Sequence, residues 1–124
     1  MTRDDDPTHD ARAQAIERYL HLTRIVMPAL AQTTMAAWPV RNDHCFQRII
    51  LDAVCGGVWY DHITRPATKH LTLEQTHRAV QLCEDIVAGT ADLAVMNRQS
   101  LVWRGKGSWP GSAQQVPASK AQSL

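Results

Sequence analysis

Between residues 41 and 62 the chain reads RNDHCFQRIILDAVCGGVWYDH, which places His44, Arg48, Asp52, Cys55, Trp59 and His62 in an otherwise apolar stretch. These side chains span three kinds of chemistry. His44 as base, Asp52 as its orienting partner and Cys55 as nucleophile are the parts of a covalent catalyst. Imidazole and thiolate are also metal ligands. Trp59 and Arg48, with the histidines, suit a face that meets a partner or a small anionic ligand, since Trp and Arg concentrate binding energy at interfaces. The plain structural alternative is the solvent side of a core helix carrying an ordinary ion pair.

Helical spacing narrows these choices. At about 100° per residue, positions 44, 48, 52, 55, 59 and 62 fall within roughly 80° of arc and form one stripe over about five turns. Arg48 and Asp52 are spaced i,i+4, which predicts a salt bridge between them. His44 and Asp52 lie about 12 Å apart along the axis and do not touch on one helix, so a catalytic pair needs a helper such as His77 or His21 from elsewhere. His44 and His62, about 27 Å apart, do not share a metal. Phe46, Ile49, Ile50, Leu51, Ala53, Val54, Val58 and Tyr60 make most of the remaining surface apolar, so this helix belongs in the centre of the fold. Gly56 and Gly57 each cost a helix about 1 kcal/mol relative to Ala and point to close approach by another backbone or a bound group.

A second candidate lies near the end. NRQSLVWRGKGSW, residues 97–109, sets Arg98, Arg104 and Lys106 beside Trp103 and Trp109. That is a small patch able to track phosphates and stack bases, or equally a helix ending in basic residues. His70 and His77 flank a capping box and suit the surface, whereas Cys83 falls on an apolar stripe and suits core packing. Walker A, GxGxxG, GxSxG, HExxH and paired CxxC motifs are all missing, so no cofactor or metal is expected.

The elements that must position these residues all read as helices. The first runs from an Asp10 cap through Ile16, Tyr19, Leu20, Thr23, Val26, Met27 and Leu30 at helical spacing. Pro28 falls inside that pattern and should kink or split it near Met27. Trp38-Pro39 breaks the chain before a second helix, capped by Asn42 or Asp43 and running to about His62 or Ile63. Thr72 and Gln75 make a capping box for a third helix with Leu73, Thr76, Ala79, Val80, Cys83, Ile86 and Val87 on its stripe and Gly89 at its end. Thr90 is placed to cap a fourth, which carries Leu93, Met96 and Leu101. The expectation is an all-α single small bundle of about four helices over residues 10–104, with a disordered arm at 1–9 and a flexible tail at 105–124.

Composition bounds the function. The 124 residues suffice for one domain, and 44% hydrophobic with 20% charged residues is globular. A formal net charge of +1 supplies no global field for nucleic acid or an acidic membrane. The start, MTRDDDPTHDARAQ, has no secretory pattern, and no apolar run approaches the roughly 20 residues of a membrane span. Three cysteines, with Cys45 and Cys55 about 15 Å apart on a helix, do not form a disulfide framework. A cytoplasmic location without membrane attachment is expected.

Three stretches, WPVRNDHCFQRIILDAVCGGVWYDHI, RPATKHLT and NRQSLVWRGK, together resemble a small group of bacterial proteins of similar length. The group is built around His-Cys-Phe-x-Arg-Ile and, near the end, Asn-Arg-x-Ser-Leu-x-Trp-Arg-Gly, and the resemblance covers roughly residues 16–106. Such proteins often carry an N-acetyltransferase (GNAT-like) name. The matching positions are His44, Cys45, Phe46, Arg48, Ile49, Asp52, Trp59 and Tyr60; with Phe46 and Ile49 on the apolar side, His44, Arg48, Asp52 and Trp59 are the functional candidates. The acetyltransferase superfamily is mixed α/β and cradles the coenzyme A pyrophosphate on an Arg/Gln-x-x-Gly-x-Gly/Ala loop at a helix start. Here the Gly-rich pieces GGVWYDH and RGKGSW open no helix.

The reading that follows is a small binding or regulatory module acting by contact through the second helix's polar-aromatic stripe. A protein partner is expected, with a small anionic ligand as a further option. An N-acetyltransferase-like enzyme is one alternative, and a nucleic-acid accessory using residues 97–109 is another.

Overall fold

Residues 7–105 are described by a computed structural model. Helix α1 spans Pro7–His21, starting three residues before the Asp10 expected to cap it; Asp10 instead lies in the first turn, where a carboxylate interacts favourably with the positive end of the helix dipole. A proline suits a helix start because its missing N–H has no intrahelical partner there. The chain continues through a π-helical segment, Leu22–Val26, into α2, Met27–Ala31, and His21, Val26 and Met27 all keep right-handed helical dihedrals. Pro28 therefore does not split the helix. Its ring presses on the carbonyl four residues back, and the wider turn immediately before it absorbs that clash. The Met27 N–H reaches the Leu22 carbonyl, five residues back.

Arg41 ties down the connection that follows, donating to the carbonyls of Ala31 and Ala36 (2.7 Å each). Trp38 packs edge-on against Phe46, with ring centroids 5.8 Å apart. Helix α3, Asp43–Cys55, is capped by Asn42, whose side chain accepts from the Cys45 N–H. A 3-10 turn at Trp59–Asp61 and a short α4 at Ala67–His70 lead to α5, Leu73–Ala88. The Thr72/Gln75 capping box is reciprocal, and Gly89 closes α5 in the left-handed region at φ 84°. Asp92, not Thr90, caps the last helix α6, Leu93–Trp103. Thr90 instead donates its N–H and hydroxyl to the Asp85 carbonyl, finishing α5.

The fold is all-α, and no strand occurs among the described residues. Four helical stretches, α1–α2, α3, α5 and α6, make the bundle. Helix α1 packs on α5, while α3 touches α5, α6, α2 and the π segment, the central place its apolar surface predicts. Tyr19, Leu22, Met27, Phe46, Ile49, Ile50, Ala79, Cys83, Ile86 and Leu93 fill the core. Arg12 of α1 donates to the carbonyls of Thr68 and Leu71 (2.7 and 2.8 Å), fastening α4 and the chain around it to the bundle. No described helix is long and apolar enough to cross a membrane.

Candidate anion-binding site

The second helix is shorter than its pattern. It stops at Cys55, where Gly56 takes φ 70° and, with Gly57, donates its N–H to the Asp52 carbonyl. Only Gly enters that left-handed conformation at little cost. Gly57 has a different reason: a Cβ there would sit 3.3 Å from His62 Nε2. The two glycines thus end the helix and let the chain fold back. The stripe from His44 to His62 is not one helical face, because Trp59 and His62 belong to the 3-10 turn and its end.

That fold-back is organised by Asp52. Its side chain is 0% exposed, an uncommon place for a carboxylate, and both oxygens are fully used. Oδ1 accepts from the Trp59 backbone N–H (3.0 Å) and Arg104 Nη2 (2.9 Å). Oδ2 accepts from the Ser100 hydroxyl (2.6 Å) and Arg104 Nε (2.8 Å). The bidentate Arg104 contact is the strong form of a charge-assisted pair, and the hydrogen bond to Asp52 holds the Arg104 guanidinium further above its ordinary pKa. The predicted i,i+4 salt bridge between Arg48 and Asp52 does not form. Arg48 donates to Ser100 Oγ (2.7 Å) and Asn97 Oδ1 (2.8 Å), because α6 packs against this face of α3 and offers better-placed acceptors. Donors therefore run in series, Arg48 to Ser100 to Asp52, and Arg104 closes on Asp52 from the far side.

Above this network lies a cleft of about 690 Å³, bounded by the α1–π junction, α3, the 3-10 turn, the start of α4 and the end of α6. Four arginines line it: Arg24, Arg48, Arg65 and Arg104. No Asp or Glu does. Only Arg104 among the four has a carboxylate partner among the described residues. Arg65 stacks on Tyr60 at 4.4 Å and lies 5.8 Å from the Trp59 ring centre, and Arg104 is 5.2 Å from the Tyr60 ring centre. Trp59 and Tyr60 pack edge to face. His44 stands at the rim, its side chain 88% exposed and its Nδ1 3.0 Å from Asp43.

Two further wall residues are Tyr19 and Gln47. Tyr19 is 1% exposed, and its hydroxyl has no hydrogen-bond partner among the described residues. Burial pushes that phenol far above its usual pKa, so it stays a donor. Gln47 Nε2 donates to Thr23 Oγ1 (3.1 Å), whose own hydrogen goes to the Tyr19 carbonyl (3.0 Å). This relay fixes the amide's orientation and leaves its carbonyl oxygen free to accept.

The remaining candidates are scattered. Cys55 is half-buried outside the cleft, with its thiol pushed up by burial and then by Asp52, the reverse of an activated nucleophile. His62, His70, His77 and His21 are exposed and do not join His44 and Asp52 into a triad. No described cluster of three His, Cys, Asp or Glu is arranged to hold a metal. In the basic-aromatic patch, Arg104 turns inward to Asp52, Arg98 is half-buried with an Nε that has no partner among the described residues, and Trp103 is 37% exposed. Lys106 and Trp109, with residues 1–6 and the rest of the tail, lie outside the described residues.

Sequence reasoning did not select Arg24, Arg65, Gln47 or Tyr19. Arg24 shows only as a polar residue off the apolar face of the first helix, and Arg65 as part of a break. Nothing in their spacing reports that the chain brings them to one cleft. Two of the three stretches quoted for the resemblance meet: Arg48 and Asp52 from the first contact Asn97, Ser100 and Arg104 from the last. Comparisons with protein families, curated proteins and solved structures find no match to this chain.

Proposed function

We propose that the chain is a small binding module whose cleft takes a small anionic ligand. The observation that carries this is a set of four arginines around one concave, partly aromatic space, three of them without a carboxylate partner among the described residues. Uncompensated guanidiniums repel one another, and an anion placed among them relieves that repulsion and accepts charge-assisted hydrogen bonds. The volume lies within the roughly 300–1,000 Å³ of small-molecule sites. Asp52 is a positioning residue, holding Arg104 and the Trp59 backbone at the cleft edge without reaching the ligand. This reading keeps the binding role and moves it from a continuous stripe to a cleft, since buried Asp52 meets no partner directly. An acetyltransferase reading finds no strand among the described residues and no pyrophosphate loop in the sequence to support it.

Thermal unfolding at constant ionic strength tests the proposal. At low millimolar concentrations, where general salt exclusion is negligible, sulfate, phosphate and citrate should raise Tm above chloride, and Arg24→Ala with Arg65→Ala should abolish the difference while leaving helical circular dichroism intact. Equal Tm in all four salts would sink it.

A further inference from the structure

The cleft's wall is divided in its chemistry, and that division specifies more than an anion. Arg24, Arg48 and Arg65 bring three positive charges unmatched by any carboxylate among the described residues. A single carboxylate ligand would leave about two of them uncompensated. A terminal phosphate carries about −1.5 to −2 near pH 7, and a second phosphoryl group in series adds about one more, so a diphosphate matches the set. Planar guanidinium forks also fit phosphate oxygens bidentately.

The rest of the wall is not built for phosphate. Leu20, Leu51 and Pro66 are apolar, and Trp59 and Tyr60 offer ring surface, so part of the ligand is flat or apolar. The Tyr19 hydroxyl is a buried donor with no partner, and the Gln47 carbonyl oxygen is an acceptor oriented by the Thr23 relay. An unpartnered buried hydroxyl costs about 1–3 kcal/mol, which a ligand acceptor would offset. One donor and one acceptor beside an apolar wall suit the edge of a nitrogen heterocycle, which carries both groups in one plane.

Resting on the anion-binding reading, we infer that the cleft takes a nucleoside diphosphate, with phosphoryl groups on Arg24, Arg48 and Arg65 and the base beside Tyr19, Gln47 and Trp59. The ring and the charges then contribute separately. Removing either half of the ligand lowers affinity, and the matching half of the wall becomes irrelevant to what remains.

Calorimetric titration of the full chain with adenosine diphosphate, adenosine monophosphate, pyrophosphate, adenosine and benzoate tests this. The diphosphate should bind at least about tenfold more tightly than either the monophosphate or pyrophosphate. Arg65→Ala should weaken the diphosphate at least about tenfold without changing adenosine. Tyr19→Phe should weaken the diphosphate several-fold and leave pyrophosphate unchanged. Pyrophosphate binding as tightly as the diphosphate would overturn the base pocket, and benzoate equalling the diphosphate would overturn the phosphate assignment. In both cases anion binding itself would survive. A single-stranded RNA dodecamer binding more tightly than the diphosphate would replace the small ligand with a nucleic acid. Silence from every probe, together with no salt effect on Tm, would remove both readings.

Discussion

Two of the helix interfaces of this bundle are held by opposite means. Where α1 and the π segment meet α5, Tyr19, Leu22, Ala79, Cys83 and Ile86 are buried, and the contact rests on apolar area, with an exposed ion pair, Arg18–Glu84 (3.3 Å), at its edge. Where α3 meets α6, Arg48, Asn97, Ser100, Asp52 and Arg104 form a directional network across the joint. Burial is tolerant of shape and indifferent to direction, whereas a buried carboxylate holds one geometry and fails when a partner is lost. The cleft opens over the second interface and reaches Tyr19 at the edge of the first. Two of its arginines, Arg48 and Arg104, and the Trp59 backbone are thus set by the directional joint.

Losing the carboxylate should break this contrast most sharply. Asp52→Ala leaves Arg104 and Ser100 without their acceptor, at a cost of about 3–5 kcal/mol, which is much of the roughly 5–15 kcal/mol stability of a small domain. Urea denaturation followed by circular dichroism should show a midpoint lowered accordingly. Replacing the set together, Asp52→Leu with Ser100→Ala and Arg104→Met, should recover much of the loss, because no charge is then stranded. A single Asp52→Ala variant as stable as the parent would mean that the joint is held by packing after all.

How much of this was legible follows the same divide. Caps and periodicity are local, so the Thr72/Gln75 box, the Gly89 terminus, the Asn42 cap and the four-helix count could all be taken from neighbouring residues. The end of α3 was also written locally: Gly56 after Cys55 is a helix-stop signal, and treating the pair as an interruption extended the helix by two turns too many. The partner of Asp52 was not local. An i,i+4 arginine is the default on an isolated helix, but Arg104 lies 52 positions away and wins by approaching bidentately in a buried site. The cleft arginines were hidden for the same reason, since their proximity is a property of chain path.

The apolar interface makes the opposite prediction. Tyr19→Phe removes a buried hydroxyl that has no partner, so the variant should gain about 1–2 kcal/mol and unfold at higher urea, with no network to disturb. A loss of stability would show that the hydroxyl is satisfied within the protein and would erase its availability to a ligand. The same substitution at the polar interface, hydroxyl to hydrogen in Ser100→Ala, should cost stability. The sign of the two changes separates the two joints more cleanly than their size.

The smallest effect is one of pH, and it also belongs to the apolar joint. Burial pushes the Cys83 thiol from 9.0 up to about 12, with Glu84 adding to the rise, and Tyr19 moves in the same direction. The folded state therefore keeps a proton that the unfolded chain releases above pH 9. Stability is fully present below that pH and falls as pH rises towards 12, with Cys83 alone contributing a loss of roughly 1 kcal/mol by pH 10. Unfolding free energies from urea titrations at pH 8 and pH 10 should differ by that amount, and Cys83→Ala should flatten the slope whatever its own cost at pH 8. The hydrogen bond to Asp52 raises the Arg104 guanidinium further above this range, so the polar joint should not sharpen the alkaline loss. If Cys83→Ala leaves the slope unchanged, the loss arises elsewhere, and the α1–α5 interface is less dry than its buried thiol and phenol imply.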